Sequence, residues 1–380
     1  MSSSYQFSLP TKVYFGHEKV FQISNILYDQ GISKPLIISD KGVVGTGLVD
    51  SICQDLNYPD NSAIVFDTVE PNPSISTVEN AVLLGKKIEC DGIIAVGGGS
   101  PMDVAKTVAI RMSNNKDIGS LEGIDKFSNQ PLPVIAVPTT AGTGSEVTPF
   151  AVITDIENNY KLTIISQRIL PRSAILDPHI ISNLPAQVAA STGLDALTHA
   201  IESFTSLFSS PYSDAFAEKS IDLIGKNLLK FVSNRGNEEA AGAMLISSLF
   251  AGMAFAHARL GNAHAMAHPL GGYFNIPHGV ANAILLPHIM EYNKIACPEK
   301  FARIAEIFGE EPVAHNAVDM VKRFNSEIGI PKSLSAVGVD SEQIPAMAKD
   351  AMKSGNILAN PRQSSLQDIE RLYNKACSFS

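Results

Sequence analysis

Few cysteines and no long apolar run occur in this chain, and each scarcity excludes a class of protein. The 380 residues include only four cysteines (Cys53, Cys90, Cys297 and Cys377), and no two of them form a CxxC pair. This wide spacing predicts reduced structural thiols in a cytoplasmic protein rather than a disulfide framework. Because no run of about 18 apolar residues is present, we expect no membrane span. The first residues also lack the basic and apolar segments of a secretion signal.

Charge is also scarce, and its balance is negative. Charged residues make up 18% of the chain, and the formal net charge is −9. Such a balance provides no basic surface for nucleic acid or for an anionic membrane, so we expect neither partner. With 45% hydrophobic residues over this length, the composition predicts a soluble globular protein of about two domains.

In the first half of the chain, short apolar runs alternate with segments of helical periodicity. The runs are bounded by Gly, Pro or Asp and are typical of strands buried on both faces of a parallel sheet. They cover residues 35–40, 62–67, 92–99, 133–140, 161–166 and 173–177. Helical periodicity covers residues 74–90 and 100–114. This alternation predicts an α/β domain with a doubly wound, Rossmann-like parallel sheet.

The second half is rich in Ala and Leu and has few β-branched runs. Helical periodicity is present in residues 186–208, 212–233, 237–260, 281–295, 298–308 and 312–328. We place the boundary between the α/β part and the helical part near residues 180–186. The sequence therefore predicts an α/β domain over residues 1–184 and an all-α domain over residues 185–380.

A glycine loop directly follows the predicted strand GIIAV. Consecutive glycines let the backbone approach a ligand without a Cβ in the way. Ser100 is a suitable helix N-cap, with Pro101 at the first helical position and Asp103 at the third. The free N–H groups of that helix start predict an anion site, although a plain strand-to-helix turn would use the same residues. The loop consists of Gly97, Gly98, Gly99 and Ser100.

A second loop of small and hydroxyl residues follows the next strand, PVIAV. Thr139, Thr140 and Thr143 suit a ribose or phosphate wall, with a plain loop as the alternative. Because ligands of parallel sheets gather at the carboxyl ends of the strands, the two loops together predict a nucleotide site. Asp40 ends an earlier strand, where its carboxylate could bind a ribose 2′-OH and favour NAD over NADP, or simply close a turn.

Histidines are concentrated in one segment, HAMAHPLGGYFNIPHG, which holds three of the nine in the chain. His264 and His268 lie four residues apart and would share one face of a helix. Helix-breaking residues follow them and would turn His278 back toward that face. These breakers are Pro269, Gly271, Gly272 and Pro277.

A second pair of candidate ligands lies upstream, in the segment GLDALTHA. Asp195 and His199 are again four residues apart, so a helix would present both on one face. A carboxylate and several imidazoles on two helices are what a divalent metal site with an open position requires. Iron(II) and zinc(II) both suit such ligands, and the sequence does not choose between them.

Four motifs, taken together and in order, resemble the iron-containing (group III) alcohol dehydrogenase family. They are GGGSPMDVAK, PTTAGTGSEVT, GLDALTHAIE and HAMAHPLGGYFNIPHG. The resemblance covers nearly the whole chain. It implies an N-terminal domain that binds NAD, a helical domain that holds one divalent metal, with iron(II) expected and zinc(II) the alternative, and a cleft between them. It also implies a homo-oligomer, a dimer or larger.

The resemblance assigns roles to residues that match the family's motifs. Asp195, His199, His264 and His278 match its metal ligands, and His268 matches a histidine expected to relay protons. The glycine loop and the three threonines match the cofactor loops. Further cofactor contacts are implied for Asn72, for Asp40 and, more weakly, for Lys161.

The implied reaction is hydride transfer between the nicotinamide and a small alcohol or aldehyde. His257 and Arg259 stand where relatives that act on neutral alcohols carry other residues, and His257 would share a face with His264 on a continuous helix. These two side chains could bind a sulfonate, phosphonate or carboxylate group of the substrate, whereas Arg259 could also be a solvated helix charge. Phe150 would favour a short substrate. The alternatives are a dehydrogenase of neutral short-chain alcohols or diols, of the 1,3-propanediol or lactaldehyde type, and, remotely, a non-catalytic paralogue.

Overall fold

The computed structural model describes residues 5–56, 64–158 and 160–378, and these form two compact units. The sheet unit consists of the described parts of Leu9–Thr140 and of Gly144–Ser182. The helical unit consists of Ala141–Thr143 and residues 183–378, together with residues 5–8. An α/β first part and a helical second part confirm the predicted fold class.

Nine strands occur among the described residues, and six of them form one sheet. They are β1 Lys12–Phe15, β2 Pro35–Ile38, β3 Val65–Phe66, β4 Gly92–Gly97, β5 Gly123–Ile124, β6 Val134–Pro138, β7 Phe150–Asp155, β8 Tyr160–Ile165 and β9 Ser173–Leu176. The larger sheet has the order β1-β9-β6-β4-β2-β3, and its strand pairs are parallel. Of the predicted strand at residues 62–67, residues 62 and 63 lie outside the described ranges.

The sheet unit also contains six α-helices within the described ranges. They are α1 Ile23–Asp29, α2 Lys41–Val44, α3 Leu48–Asp55, α4 Ile75–Lys87, α5 Gly99–Ser113 and α6 Pro178–Ile181. Alternate residues of β4 belong to two different cores. Ile93 packs in a cluster with residues of α4 and α5, and Ile94 packs in a cluster with residues of α1 and α3. Helices therefore cover both faces of the parallel sheet, which explains why its strands are continuous apolar runs.

One predicted strand of the parallel sheet is wrong in its placement. Of the predicted residues 161–166, residues 161–165 lie in β8, which belongs to a separate sheet of order β5-β8-β7 and pairs antiparallel with β7. Only residues 156–159 separate β7 from β8. Such a short connection can form a hairpin but cannot form the crossover that parallel neighbours need. Strands β1, β5 and β7 were not predicted, because they are short or only partly buried.

The helical unit contains nine α-helices within the described ranges. They are α7 Ala186–Thr205, α8 Pro211–Ser233, α9 Glu238–Ala258, α10 Asn262–Phe274, α11 His278–Asn293, α12 Pro298–Ile307, α13 Ala314–Ile328, α14 Ile344–Ala351 and α15 Leu366–Cys377. Among the described helices, α9 alone is long and apolar enough to cross a membrane, yet 67% of its most apolar window is buried inside the protein. That burial is typical of a core helix.

The helix break predicted after His268 lies further along the chain. Pro269, Gly271 and Gly272 are inside α10, and the helix ends at Asn275, whose positive φ of 54° marks a left-handed C-cap. The apolar residues of α10 pack in the core, which offsets the cost of the internal proline. His278 then begins α11 directly after Pro277.

Two glycines let the helices of this unit approach closely. A Cβ at Gly279 of α11 would lie 2.2 Å from the carbonyl oxygen of Ser191 in α7. A Cβ at Gly193 of α7 would lie 2.3 Å from Leu228 in α8. Both contacts require glycine, since a backbone carbonyl and a packed leucine have little room to move.

We predict that Gly279→Ala destabilises the protein, because the added methyl group must push α11 away from the α7 backbone. The expected loss in the free energy of unfolding is about 1–3 kcal/mol. Gly272→Ala, at a helical position with no atom within 4 Å of the new Cβ, is the matched control. It should leave stability unchanged or raise it by up to about 1 kcal/mol. Urea titrations of both variants measure the difference, and equal stabilities would contradict the close-packing argument.

Candidate metal centre and glycine loops

The four predicted metal ligands come from three helices of the helical unit. Asp195 and His199 project from α7, four residues apart, and both are buried. His264 lies on α10 and is 1% exposed. His278 is the first residue of α11, and its side chain is 41% exposed. The cluster therefore has a buried side and an accessible side.

The distances between these side chains are those of donors around a shared centre. One ligand atom each of Asp195, His199 and His264 lies within 4.8 Å of the other two. Nε2 of His264 is 3.8 Å from Oδ1 of Asp195, and Nε2 of His278 is 3.9 Å from the same oxygen. These gaps are too long for hydrogen bonds. They are shorter than twice the usual metal–ligand bond of about 2.0–2.2 Å, so one cation could contact both atoms of either pair.

Polar groups outside the cluster contact all four of its members, and Nε2 of His278 lies 3.1 Å from the amide nitrogen of Asn282. Nδ1 of His264 lies 2.6 Å from Oε2 of Glu202, and Nδ1 of His199 lies 3.2 Å from the carbonyl oxygen of Gly142. Oδ1 of Asp195 accepts a hydrogen bond of 2.8 Å from the amide of Asn282. An imidazole that donates from Nδ1 presents the Nε2 lone pair on its other side.

Two of these partners were missed by the sequence analysis. Glu202 and Asn282 lie one helical turn from predicted ligands, three residues after His199 and four residues after His278. That spacing could have found both, and Glu202 also ends the motif GLDALTHAIE.

Burial and neighbouring charge set the protonation of the ligands. Burial holds the pKa of His264 well below its usual value, and the nearby His199 and His278 lower it further. Burial by itself would raise the pKa of Asp195, but the three imidazoles and the Asn282 amide bring it below the usual value. Burial raises the pKa of Glu202 to about 7 against the opposing effect of its backbone hydrogen bonds. A carboxylate at Asp195 and a neutral imidazole at His264 are the forms that bind metals.

The residues present fit a divalent cation. Within the part of the chain that the structure describes, Nε2 of His264 is buried and has no hydrogen-bond partner. An unsatisfied buried nitrogen is costly unless something binds it. One carboxylate and several imidazoles are a donor set that suits iron(II) or zinc(II).

His268 lies at the accessible side of this cluster. It is exposed on α10, and its ring stacks on that of His278 with centroids 5.4 Å apart and an interplanar angle of 25°. An imidazole between a buried cluster and solvent can carry protons near neutral pH.

His257 does not share a helical face with His264, because the helix assumed for that expectation is interrupted. α9 ends at Ala258, Arg259 has a positive φ of 63°, and α10 begins at Asn262. Nδ1 of His257 lies 2.9 Å from the carbonyl of Met253, and Nε2 accepts a hydrogen bond of 3.4 Å from the backbone N–H of Ser8.

Arg259 is exposed and places its guanidinium over the ring of Phe208, 4.8 Å from the centroid. A cation on an aromatic face is a common surface arrangement. His257 thus contacts Ser8 and Arg259 contacts Phe208, and both partners belong to the helical unit.

In the sheet unit, the glycine loop starts its helix earlier than predicted. α5 begins at Gly99 with Gly98 as its N-cap, so Ser100 is the second helical residue and not the cap. Glycine adopts many backbone conformations because it has no Cβ, so the helix can start within the glycines and does not need Ser100 as its cap. A Cβ at Gly97 would lie only 2.4 Å from Cγ of Pro101, which explains glycine at that position.

Thr139 and Thr140 lie beside the glycine loop. β4 and β6 are neighbours, and the N–H of Thr139 donates to the carbonyl of Gly97 at 3.0 Å. A Cβ at Gly98 would lie 3.2 Å from Oγ1 of Thr140. Thr143 belongs with the helical unit instead, next to Gly142, whose carbonyl faces His199. The second loop is therefore divided between the two units.

The remaining cofactor candidates also have partners. Nζ of Lys161 donates to Oδ1 of Asn72 at 2.8 Å, so the structure brings these two together. Burial lowers the pKa of Lys161. Oδ1 of Asp40 accepts from the N–H of Val43 at 3.0 Å and caps α2, which is the turn-closing alternative. Phe150, the candidate substrate-pocket residue, begins β7, and its backbone carbonyl accepts from Lys106.

Buried charges next to this loop were missed by the sequence analysis. Lys106 of α5 is fully buried, and its ammonium donates to Oγ of Ser145, to the carbonyl of Thr148 and to that of Phe150, at 2.8 to 3.0 Å. Burial lowers the pKa of Lys106 to about 8 and raises the pKa of Glu146 to about 7. The lysine thereby ties the helix after the glycine loop to the second loop.

Two family models match the chain. One, described as iron-containing alcohol dehydrogenase, matches residues 10–178. The other, described as the C-terminal part of the Fe-containing alcohol dehydrogenase family, matches residues 189–377.

Similar proteins extend over the same length. The 1,3-propanediol dehydrogenase of Klebsiella pneumoniae is 40% identical over 98% of this chain and 98% of its own length. A crystal structure of a 1,3-propanediol oxidoreductase has a TM-score of 0.94 at 40% identity and covers 98% of this chain and 100% of that one. The sulfoacetaldehyde reductase of Bifidobacterium kashiwanohense, in complex with NAD+, has a TM-score of 0.91 at 29% identity, with full coverage of both chains.

We predict that Glu146 lowers stability as pH rises, because burial raises its folded-state pKa to about 7 from an ordinary value of 4.5. The folded state therefore keeps a proton that the unfolded state loses, and the stabilisation present below pH 4.5 disappears by about pH 7. Ionisation of Glu146 should lower the free energy of unfolding by up to about 3 kcal/mol between these pH values.

Unfolding free energies of the parent and of Glu146→Gln at pH 5 and pH 8 test this. The variant should lose less stability between the two pH values, while Glu342→Gln, at an exposed glutamate, should follow the parent. An unchanged pH dependence in Glu146→Gln would contradict the prediction.

Proposed function

Since the chain belongs to the iron-containing alcohol dehydrogenase family and is a group III alcohol dehydrogenase, we propose that Asp195, His199, His264 and His278 hold its metal. The observation that carries this is the convergence of buried donors around the unpartnered Nε2 of His264. The reaction is hydride transfer between NAD(H) and a small alcohol or aldehyde.

Iron(II) is the proposed metal, with zinc(II) as the alternative. The family's description supports iron, whereas zinc binds such ligands more tightly when both metals are available. A divalent cation supplies Lewis acidity, which makes a substrate hydroxyl more acidic and a substrate carbonyl more electrophilic. Asp195 contributes negative charge and the three histidines are neutral donors, so the site retains positive charge for the substrate oxygen.

His268 is the proposed proton relay. It is exposed, stacks on His278, and can exchange a proton with solvent near neutral pH. The direction follows the reaction: it takes a proton as the alcohol is oxidised and returns one as the aldehyde is reduced. The alternative is a histidine that only packs before Pro269.

The sheet unit is the proposed NAD site. N–H groups at the start of α5, in the loop of Gly97, Gly98, Gly99 and Ser100, suit the pyrophosphate. Thr139 and Thr140 lie beside that loop, and Thr143, Asn72 and Lys161 complete the proposed set. The second oxygen of Asp40 suits a ribose 2′-OH and would repel a 2′-phosphate, which favours NAD over NADP. The relative from B. kashiwanohense supports this choice, since its structure contains NAD+.

For the substrate we propose a short neutral aldehyde or alcohol first. Relatives of the 1,3-propanediol type share 40% identity with the chain. A substrate with an anionic group is the second candidate, supported by the similarity to a sulfoacetaldehyde reductase, and His257 and Arg259 would then be its anion-binding residues. Phe150 stays a proposed pocket residue that would keep the substrate short.

We further propose a cytoplasmic homo-oligomer, a dimer or larger, with residues 1–184 as the nucleotide domain and 185–380 as the metal domain. The spacing of reduced cysteines supports the compartment. Intact ligands and loops speak against a non-catalytic paralogue.

The metal and relay roles predict different outcomes at two histidines of the same helix. His264→Ala should lose both the metal and turnover, because a buried donor is removed. His268→Ala should keep the metal and slow turnover by about 10²–10⁴-fold. Metal analysis of the purified proteins and NADH absorbance with a short aldehyde measure both effects, and a metal-free His264→Ala protein with full activity would refute the site.

The substrate proposal predicts a kcat/KM for propionaldehyde at least as high as that for sulfoacetaldehyde. Arg259→Gln should change neither value, because the guanidinium rests on Phe208. Steady-state kinetics with both aldehydes decide the point. A preference for the sulfonate that disappears in Arg259→Gln would instead establish the anionic candidate.

A further inference from the structure

Glu202 is a buried glutamate of α7 that the family motifs leave without a role. We propose that Glu202 is a positioning residue which fixes the ring and the tautomer of His264 for metal binding. This inference rests on the proposed metal site. Glu202 is 4% exposed, and its Oε2 lies 2.6 Å from Nδ1 of His264.

Both carboxylate oxygens of Glu202 face N–H groups. Oε2 accepts from the backbone of Gly261 at 2.9 Å, and Oε1 accepts from the backbone of Ala263 at 2.6 Å. The backbone N–H of His264 also points at Oε2, at 3.4 Å. An environment made only of donors favours the carboxylate as an acceptor, so the hydrogen between Glu202 and His264 belongs on Nδ1.

The position of that hydrogen determines which nitrogen of His264 is free to bind a metal. A neutral imidazole carries one hydrogen, so Nδ1–H leaves a lone pair on Nε2. Nε2 is the buried atom without a partner, 3.8 Å from Oδ1 of Asp195. In the opposite tautomer, Nε2–H would block a metal, and the lone pair of Nδ1 would face the Glu202 oxygen at 2.6 Å. Glu202 therefore disfavours the tautomer that cannot bind.

The outer partner of His199 differs from that of His264. Nδ1 of His199 faces a backbone carbonyl, that of Gly142. His264 instead faces a carboxylate, which makes the imidazole a stronger donor and adds negative charge near the cation. Substitution of Glu202 should thus change metal affinity without removing a ligand.

Glu202 also accepts hydrogen bonds from the backbone at the start of α10. A loss of stability alone would therefore not distinguish positioning of His264 from stabilisation of this helix start. Asn360 provides the matched control. Its Oδ1 accepts from the backbone N–H of Asn262, the first residue of α10, at 3.2 Å, and Asn360 is 1% exposed. Both residues bind the same helix start, and only Glu202 hydrogen-bonds a proposed ligand.

The experiment compares Co(II) binding by the apo forms of the parent, Glu202→Gln and Asn360→Ala at pH 8. Affinity is measured by competition with a chelator, and the visible Co(II) bands report the ligand field. Glu202→Gln should bind Co(II) about 10–100-fold more weakly, with altered bands. Asn360→Ala should keep the parent's affinity and bands, even where its melting temperature falls.

Parental affinity and bands in Glu202→Gln would overturn the proposal, as would an equal loss of affinity in Asn360→Ala. Failure of the metal site itself would look different, because the parent would then not bind one Co(II) per chain. A measurement on the parent covers the case in which Glu202→Gln does not fold. In 15N-histidine NMR spectra of the apo parent, assigned with His264→Asn, His264 should carry its proton on Nδ1, and a proton on Nε2 would contradict the inference.

Discussion

The burial of polar ligands among α7, α10 and α11 is the constraint on which the helical unit depends. Asp195, His199 and His264 are 4%, 5% and 1% exposed, and burying such groups is costly unless each finds a partner. Glu202, Gly142 and Asn282 provide such partners, and Nε2 of His264 is left for the proposed cation. The close approach of α7 and α11 explains the glycine at position 279, where a Cβ would overlap the backbone of Ser191, whereas Gly193 lets α7 approach Leu228 of α8.

The sheet unit presents backbone donors at the ends of its parallel strands. β4 and β6 are neighbours in register, so the glycine loop and the threonine loop begin side by side. Lys106 then holds the second loop against α5 from within the core, through acceptors on Ser145, Thr148 and Phe150. A buried ammonium is tolerated there because every proton has an acceptor.

Periodicity and motif order predicted much of this protein. Apolar runs buried on both faces predicted β2, β4, β6 and β9, and the spacing of four predicted the helical pairs of histidine and aspartate. Periodicity could not place β8, because its pairing follows from the length of the connection after β7 rather than from its own residues. It also could not locate the end of α10, where packing in the core carries the helix through Pro269 to the left-handed Asn275.

By itself, the sequence determined the fold class, the family and the residue types of the candidate metal site, because these depend on local spacing and on motifs read in order. Only the tertiary structure decided which groups surround those ligands. Glu202 ends the motif GLDALTHAIE without an assigned role, and Asn282 lies outside the four motifs. Their contacts with His264 and Asp195 exist because separate helices fold against each other. The spacing along one helix also failed to predict the neighbours of His257 and Arg259. Because the helix is interrupted between α9 and α10, His257 contacts Ser8 and Arg259 contacts Phe208.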